Sequence, residues 1–369
     1  MSISILDDSR EISRIDKSGM LSFCVDASRH CREAEKLTEA VSIEYPTPQT
    51  IIVAGAGGSA IGGELMKDWV RDKIAVPVEV CREYSLPAYV NKRTLVFVVS
   101  YSGETEEALS ILLDAIKNGC MIFCIGSGGR LLEFAEKLDL PNLRVPSGMP
   151  SRAALPYLFP PMLIILEKLG LISDVGSELS EAIRVLAKVQ DENSPERLFT
   201  TNFSKMLASG INGTAPIIYG FGIYRAVSQR YKQQFNENSK VLAKWDFFPE
   251  LNHNEIMGWE GARECSNGFS TIFLRDKNEP VEIRHRIQIT KELMAKEKEK
   301  VFDIWSVDGR RLAKMFYAIS IGDFTSVYLA ILRNVDPTPV KAIATLKERI
   351  TQSGVKGKVL HELQELCDE

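Results

Sequence analysis

The sequence predicts an α/β protein built from two doubly wound parallel sheets, each covered by helices on both faces as an αβα sandwich. Three observations support this fold class. Short β-branched runs alternate with helix-like segments from residue 50 onward, the first run ends in a glycine-rich turn, and the same order of elements starts again near residue 216. Strands that alternate with helices at this spacing form parallel sheets.

The first half begins with an amphipathic helical pattern over residues 1–45. The run Thr50–Ala54 is a predicted buried strand because it is short, apolar and β-branched. The glycine-rich segment Gly55–Gly63 follows it and opens into a predicted helix over Glu64–Arg71. Another predicted helix ends at Lys117. The other predicted strands of this half are Val76–Val80, Thr94–Ser100, Met121–Gly126 and Asn142–Val145.

The second half repeats this pattern after a helical connection over residues 151–190, which is rich first in proline and then in leucine. Residues 217–226 align with residues 51–60, so the first strand and its turn recur. The predicted strands are Pro216–Gly220, Ser270–Leu274 and Val301–Trp305, with helices that end at Phe235 and near Asn334.

These patterns predict three parts along the chain. Residues 1–150 hold an N-terminal helical segment and the first α/β domain. Residues 151–190 connect the domains, and residues 191–369 hold the second domain with a C-terminal helical tail.

The bulk composition is that of a soluble globular protein. Of the 369 residues, 45% are hydrophobic and 25% are charged, and the formal net charge is −4. This balance does not suggest the positive surface that binds nucleic acid or an anionic membrane, so neither is an expected partner. The seven cysteines form no CxxC pair and the four histidines lack metal-ligand spacing, so no metal site is predicted. Because the charged N-terminus has no apolar signal-peptide core, we expect a cytoplasmic protein.

The segment Ser100–Thr105 is the strongest candidate ligand site, because it joins the end of a predicted strand to the start of a helix. At this edge of a parallel sheet, free backbone N–H groups and the positive end of the helix dipole point toward one spot. Three hydroxyl groups add donors that suit a phosphate, and Gly103 allows the backbone to come close. The competing interpretation is a helix cap at Ser102 or Thr105, but a cap requires one hydroxyl, not three.

The glycine-rich turn Gly55–Ala60 is less specific. Its Gly-x-Gly-x-x-Ala pattern is close to a dinucleotide fingerprint, and Glu79 lies about where a ribose-binding carboxylate is expected. A nicotinamide-dependent dehydrogenase is therefore an alternative. Against it, the loop at Ser100 would have no role, and the second half contains no further nucleotide signature.

Candidates for acid–base chemistry are few, and none is distinctive alone. His253 lies in the polar segment Pro249–Glu255, predicted as a loop, whereas the other histidines have charged or polar neighbours and are interpreted as solvated. Glu237 follows a predicted helix and is one helix-end carboxylate among many. Arg152 and Lys347 are equally unremarkable by themselves.

Four segments together resemble the bifunctional phosphoglucose/phosphomannose isomerases, members of the phosphoglucose isomerase superfamily, whose repeated unit is the sugar isomerase (SIS) domain. The segments are Gly57–Gly63, Ser100–Thr105, Phe235–Asn238 and Asn252–Glu255. The serine-rich loop alone is typical of any SIS domain. Its combination with Glu237 and His253 is more specific, and the resemblance extends from about residue 50 to about residue 350.

The resemblance implies that the fold consists of two SIS-type subdomains and that the first of them binds the phosphate of a sugar phosphate. The phosphate and nearby sugar oxygens would be bound by four hydroxyl side chains: Ser59, Ser100, Ser102 and Thr105. Gly57 and Gly58 would belong to the adjacent substrate loop.

The resemblance also implies the catalytic residues. Glu237 would be the base that moves a proton between C1 and C2, and Arg152 would lie beside the enediolate. His253 would assist ring opening and would reach the site from the partner subunit of a homodimer. The active-site lysine would be Lys347, with Lys341 on the same predicted helix as the alternative.

The implied activity is aldose–ketose isomerisation. Glucose 6-phosphate or mannose 6-phosphate would be interconverted with fructose 6-phosphate through a cis-enediol, within glycolysis and gluconeogenesis. A carboxylate base and a fixed cation are sufficient for this proton transfer, so no cofactor and no metal are expected. The phosphate would act as a remote handle that positions the sugar.

The main alternative is a non-catalytic SIS regulator that binds sugar phosphates. Such a protein would share the serine-rich loop, should lack Glu237 and His253 together, and usually has a DNA-binding helix-turn-helix. An amidotransferase-type isomerase would need a glutaminase domain with an N-terminal cysteine. Two features have no predicted role: the insertion-like charged helix Ile289–Lys300 and the C-terminal extension Thr351–Glu369.

Overall fold

A computed structural model of the chain describes residues 4–261, 268–294, 300–352 and 355–368. Its strands and helices alternate as predicted. The strands are β1 (Thr50–Ala54), β2 (Val78–Cys81), β3 (Thr94–Val99), β4 (Met121–Gly126), β5 (Asn142–Arg144), β6 (Ala215–Gly220), β7 (Lys244–Phe247), β8 (Phe269–Arg275) and β9 (Lys300–Trp305). The helices are α1 (Ser9–Ile15), α2 (Met20–Val25), α3 (Ala27–Glu39), α4 (Gly57–Val70), α5 (Glu106–Lys117), α6 (Gly129–Lys137), α7 (Leu155–Lys168), α8 (Val175–Asn193), α9 (Phe203–Ile211), α10 (Arg225–Gln234), α11 (Glu255–Gly261), α12 (Val281–Met294), α13 (Arg311–Leu332), α14 (Lys341–Gln352) and α15 (Val355–Asp368).

The chain forms two compact units. The first-sheet unit comprises Arg29–Ser177 with Val340–Glu369, and the second-sheet unit comprises Met1–Ser28 with Glu178–Pro339. These bounds differ from the predicted domains at both ends of the chain. The physical reason at the C-terminus is packing, because α15 lies against α5 and α6 and buries Leu363 completely.

The first-sheet unit has five parallel strands in the order β2-β1-β3-β4-β5. Strands β1, β3 and β4 are buried along nearly their whole length, as central strands of a parallel sheet covered on both faces should be. The order reverses direction between β1 and β3. In such sheets ligands bind at this switch point, outside the carboxyl ends of the two strands.

The second-sheet unit has four parallel strands in the order β7-β6-β8-β9. In the interior of this unit, helix α13 packs against α9 and α10. This helix is long and apolar enough to cross a membrane, with a mean hydropathy of 1.5, but 83% of its most apolar window is buried inside the unit. A helix in the core of a folded domain satisfies the same criteria.

The second sheet repeats the order of four strands of the first, with β7, β6, β8 and β9 in the places of β2, β1, β3 and β4. Val53 pairs with Phe97 in the first sheet, and Tyr219 pairs with Phe273 in the second. Because residues 51–60 align with residues 217–226, Val53 corresponds to Tyr219, and the pairing makes Phe97 correspond to Phe273. The internal duplication predicted from the sequence is therefore confirmed.

Three local expectations are wrong. Helix α4 begins at Gly57, not at Glu64, so most of the glycine-rich segment is helical. The sequence analysis did not predict the short edge strand β7. The segment Pro249–Glu255 is not an open loop, because residues 250–253 form a 3-10 turn and α11 begins at its end.

The charged segment Ile289–Lys300 contains the end of α12 and the first residue of β9, while residues 295–299 lie outside the described residues.

Candidate active site

The hydroxyl loop, Ser100–Thr105, follows β3 and ends where α5 begins. Ser100 is buried, and its hydroxyl donates to the Thr105 hydroxyl over 2.9 Å. The Ser102 hydroxyl accepts the N–H of Glu104 at 3.3 Å. Thr105 occupies the N-cap position of α5, yet its side chain makes no capping hydrogen bond. The helix-cap interpretation therefore does not account for Thr105.

Ser59 lies in the first turn of α4 and is hydrogen-bonded to the hydroxyl loop. Its buried hydroxyl accepts the backbone N–H of Tyr101 at 3.1 Å. Gly57 starts α4 with a φ of +53°, a conformation that favours glycine. The two segments that follow β1 and β3 are thus brought together at the switch point of the sheet.

A third loop, which the sequence analysis missed, packs against the hydroxyl loop. It follows β4 as Ser127–Gly129. A Cβ atom on Gly103, whose φ is +69°, would lie 1.8 Å from the carbonyl oxygen of Gly128. The N–H of Arg130 also donates to the Glu104 carboxylate at 3.0 Å. The run Gly-Ser-Gly-Gly after a predicted strand was the signal that could have revealed this loop.

Arg152 lies in a 3-10 turn, Ser151–Ala153, that abuts the start of α4. A Cβ atom on Gly58 would come within 3.0 Å of the Arg152 backbone, so Gly58 is what permits this approach. The side chain is almost fully buried, with 4% of the residue exposed. A buried guanidinium is costly unless charged or polar groups surround it.

Glu237 lies in a π-helical turn, Phe235–Ser239, that extends α10. Single π turns inside or after α-helices occur frequently at functional sites. Two neighbours fix this turn to α13: Asn238 Nδ2 donates to the Ser326 hydroxyl at 2.9 Å, and the Ser239 hydroxyl donates to the Ser326 carbonyl at 2.5 Å. Glu237 itself is half-buried and lies on this anchored turn.

His253 ends the 3-10 turn Glu250–His253 and is exposed. The turn is anchored by buried Leu251 and by Asn252, whose amide donates to the Thr290 hydroxyl at 2.9 Å. His253 is therefore an exposed side chain on an anchored turn.

Lys347 and its alternative Lys341 are both exposed on α14. Neither forms an ion pair with any of the residues that the structure describes. The choice between them stays a prediction.

Comparison with known proteins places this site in a family. A family model described as the bacterial phospho-glucose isomerase C-terminal SIS domain matches residues 200–350. A bifunctional phosphoglucose/phosphomannose isomerase from Caldicellulosiruptor bescii is 42% identical over 313 residues, covering 85% of this chain and 92% of that protein. One from Thermoplasma acidophilum is 35% identical over 310 residues, covering 84% and 92%. The chain belongs to the bifunctional phosphoglucose/phosphomannose isomerase family.

Membership of the bifunctional phosphoglucose/phosphomannose isomerase family confirms the resemblance and the isomerase class inferred from the sequence. The regulator alternative is not favoured. Among solved structures, a hypothetical protein from Thermus thermophilus superposes with a TM-score of 0.73 at 14% identity, covering 94% of this chain and 93% of that one. This likeness supports the fold alone.

In this family member the predicted residues fall into two groups. The first-sheet unit brings together the hydroxyl residues Ser59, Ser100, Ser102 and Thr105, the glycines Gly57 and Gly58, and Arg152. Glu237 and His253 belong to the second-sheet unit. Glu79, the carboxylate of the dehydrogenase alternative, is exposed on β2 and accepts a hydrogen bond from Tyr89. Among the described residues, no group of three or more His, Cys, Asp or Glu side chains could hold a metal ion.

Proposed function

We propose that this isomerase interconverts glucose 6-phosphate and mannose 6-phosphate with fructose 6-phosphate through a cis-enediol. The observation on which the proposal rests is the junction of the hydroxyl loop with the Arg152 turn at the switch point of the first sheet. Hydroxyl donors and the turn that carries a buried arginine both adjoin the start of α4, which suits a substrate with a phosphate at one end and a developing oxyanion at the other. A cytoplasmic place in carbohydrate metabolism is part of the proposal.

The phosphate end of the substrate is assigned to the hydroxyl loop. Ser100, Ser102, Thr105 and Ser59 supply hydroxyl donors, and the first turn of α5 adds backbone N–H groups with the positive end of the helix dipole. These contacts are the same for both aldoses, because glucose 6-phosphate and mannose 6-phosphate differ only at C2. Uniform binding of this kind positions the sugar without altering the chemical step.

The chemical step is assigned to Glu237 and Arg152. Glu237 takes the C2 proton of the open-chain aldose and returns it to C1, while the proton on O2 moves to O1. The reactant and product have the same atoms and the same electron count, so no oxidant or reductant is required. Arg152 stabilises the negative charge that develops on the enediolate oxygens. Rotation about C2–C3 before or after proton transfer would admit either configuration at C2.

The test is proton NMR of the purified protein with fructose 6-phosphate in D2O containing EDTA. We expect glucose 6-phosphate and mannose 6-phosphate to form with deuterium at C2. The Glu237→Gln variant should lose at least about a thousand-fold in kcat, because the base is removed while its shape is kept. The control Glu282→Gln changes an exposed carboxylate in the first turn of α12 and should leave kcat unchanged. A protein that binds the sugar phosphate without forming either aldose would refute the isomerase proposal.

His253 is assigned to ring opening, acting from the partner subunit of a homodimer. This assignment can be tested by mixing the inactive variants His253→Ala and Glu237→Gln after dissociation and reassociation. If each site combines Glu237 of one chain with His253 of the other, half of the random dimers contain one intact site. Activity should then return to about a quarter of the wild-type value. No recovery in verified mixed dimers would place both residues in the same chain's site.

A further inference from the structure

We infer that Tyr101 is a positioning residue that fixes the Arg152 turn relative to the hydroxyl loop. The inference rests on the role proposed above for Arg152. Tyr101 lies inside the hydroxyl loop itself, and only 5% of the residue is exposed. The Tyr101 hydroxyl is hydrogen-bonded to two backbone groups of another segment, which this side chain holds in place.

The backbone of Tyr101 connects the three loops at the carboxyl edge of the first sheet. Its N–H donates to the Ser59 hydroxyl at 3.1 Å, which ties the hydroxyl loop to the start of α4. Its carbonyl oxygen accepts the N–H of Ser127 at 2.8 Å and the Ser127 hydroxyl at 2.6 Å. These contacts set the position of the loop that presents the phosphate donors.

The side chain of Tyr101 extends the connection to a fourth segment. Its hydroxyl donates to the carbonyl oxygen of Pro146 at 2.9 Å and accepts the N–H of Met149 at 3.1 Å. Both hydrogen-bonding capacities of the phenol are therefore used on one short stretch of backbone. That stretch ends three residues before Arg152.

The path from Met149 to Arg152 is short and stiff, so a contact at one end fixes the other. Pro150 has its φ restricted by the ring, and its carbonyl oxygen accepts the N–H of Ala153 at 2.8 Å to close the 3-10 turn. On the opposite side, the backbone of the turn lies against Gly58. Arg152 is thus held between Tyr101 and α4.

The consequence is that the hydroxyl loop and Arg152, which act on opposite ends of one substrate, are held at a fixed separation. The hydroxyl loop binds the phosphate on C6, and Arg152 acts near C1 and C2, so an error in their separation moves the oxyanion away from the cation. A misplacement of 1 Å in an active site costs on the order of a hundred-fold in rate. Phosphate binding alone does not depend on this separation.

The test is the Tyr101→Phe variant, which removes only the hydroxyl and keeps the packed ring. We expect kcat to fall about ten- to a hundred-fold while KM changes by less than about three-fold. Calorimetric titration provides a second measurement that does not need turnover. The affinity for inorganic phosphate should stay the same, whereas that for the five-carbon aldonic acid 5-phosphate, whose planar carboxylate resembles the enediolate, should fall about ten-fold.

Tyr45→Phe is a matched control in the same unit. The Tyr45 hydroxyl donates to the carbonyl oxygen of Ile122 at 2.9 Å and accepts its N–H at 3.3 Å, so it also uses both capacities on a strand backbone. This variant should lose comparable stability and keep kcat. The inference is overturned if Tyr101→Phe keeps kcat within about two-fold while Arg152→Ala loses it, or if both tyrosine variants lose kcat equally. A wild-type protein without isomerase activity would refute the proposed function instead, and the two titrations would still test the inference.

Discussion

At the scale of single residues, the hydroxyl loop depends on glycines whose neighbours leave no room for a side chain. Gly103 combines a φ of +69° with a neighbouring carbonyl oxygen of Gly128 that a Cβ atom would approach to 1.8 Å. A contact under 3 Å with backbone cannot be relieved by rotating a side chain. The close packing of the loops after β3 and β4 therefore requires glycine at position 103.

Gly119→Ala provides a control for the prediction on Gly103→Ala, because the φ of Gly119 is +63° and a Cβ atom there meets nothing within 4 Å. Both variants should lose roughly 1–2 kcal/mol of unfolding free energy from the strained backbone. Gly103→Ala should lose more stability and at least about ten-fold in kcat/KM, because the loop must shift away from Gly128. Urea unfolding and steady-state kinetics check this. Equal effects of the two substitutions would show that the contact with Gly128 does not shape the site.

At the scale of elements, the sequence predicted the buried strands best and the glycine-rich helix worst. Thr50–Ala54 and Met121–Gly126 match β1 and β4 because a short apolar run has few alternatives to a buried strand. Helix α4 begins seven residues earlier than predicted, since glycine has a low helix propensity. A Cβ atom on Gly63 would lie 2.8 Å from the Val53 side chain, so tertiary packing on β1 requires glycine inside this helix.

The candidate site, too, could be predicted from local sequence only in part. The hydroxyl loop could be predicted from the sequence because its donors are consecutive and the strand-to-helix junction orients them. Arg152 is near it only because Gly58 and Tyr101 hold the backbone of a distant segment, and nothing in the local sequence indicates that proximity. Glu237 needed the family resemblance, since a π-helical turn has no distinctive composition.

At the scale of the whole molecule, the duplication poses the question of whether each chain has two phosphate sites. By strand pairing and by its position directly after β8, Asp276 is the counterpart of Ser100 after β3. Tyr224 is likewise the counterpart of Gly58. The second sheet has therefore replaced a hydroxyl by a carboxylate and a glycine by a bulky ring at the equivalent switch point.

The carboxylate of Asp276 lies at the switch point of the second sheet, where a bound anion would otherwise lie. Lys314 donates to the two Asp276 oxygens at 2.9 and 2.8 Å, and the Tyr224 hydroxyl donates at 2.8 Å. Burial alone would raise the pKa of Asp276, but the hydrogen bonds from Lys314, the Asn278 N–H and Tyr224, with the Lys314 charge, hold it below its ordinary value. The native state thus binds this proton more weakly than the unfolded chain. The resulting stability is present above the ordinary carboxylate pKa of about 4 and is lost as the pH falls through the lowered pKa.

We therefore predict one phosphate site per chain, in the first sheet. Calorimetric titration with the five-carbon aldonic acid 5-phosphate should give one equivalent per chain, because the Asp276 carboxylate already takes the hydrogen bonds of Lys314 and Tyr224 at the second switch point. The Ser100→Asp variant copies the arrangement of the second half into the first, and it should bind no measurable ligand at the same concentrations. Ser100→Ala is the control for loss of the hydroxyl alone and should weaken binding by only about ten-fold. Two equivalents in the wild type would show that the second sheet also binds the phosphate. Full binding by Ser100→Asp would show that a carboxylate at this position does not exclude the phosphate.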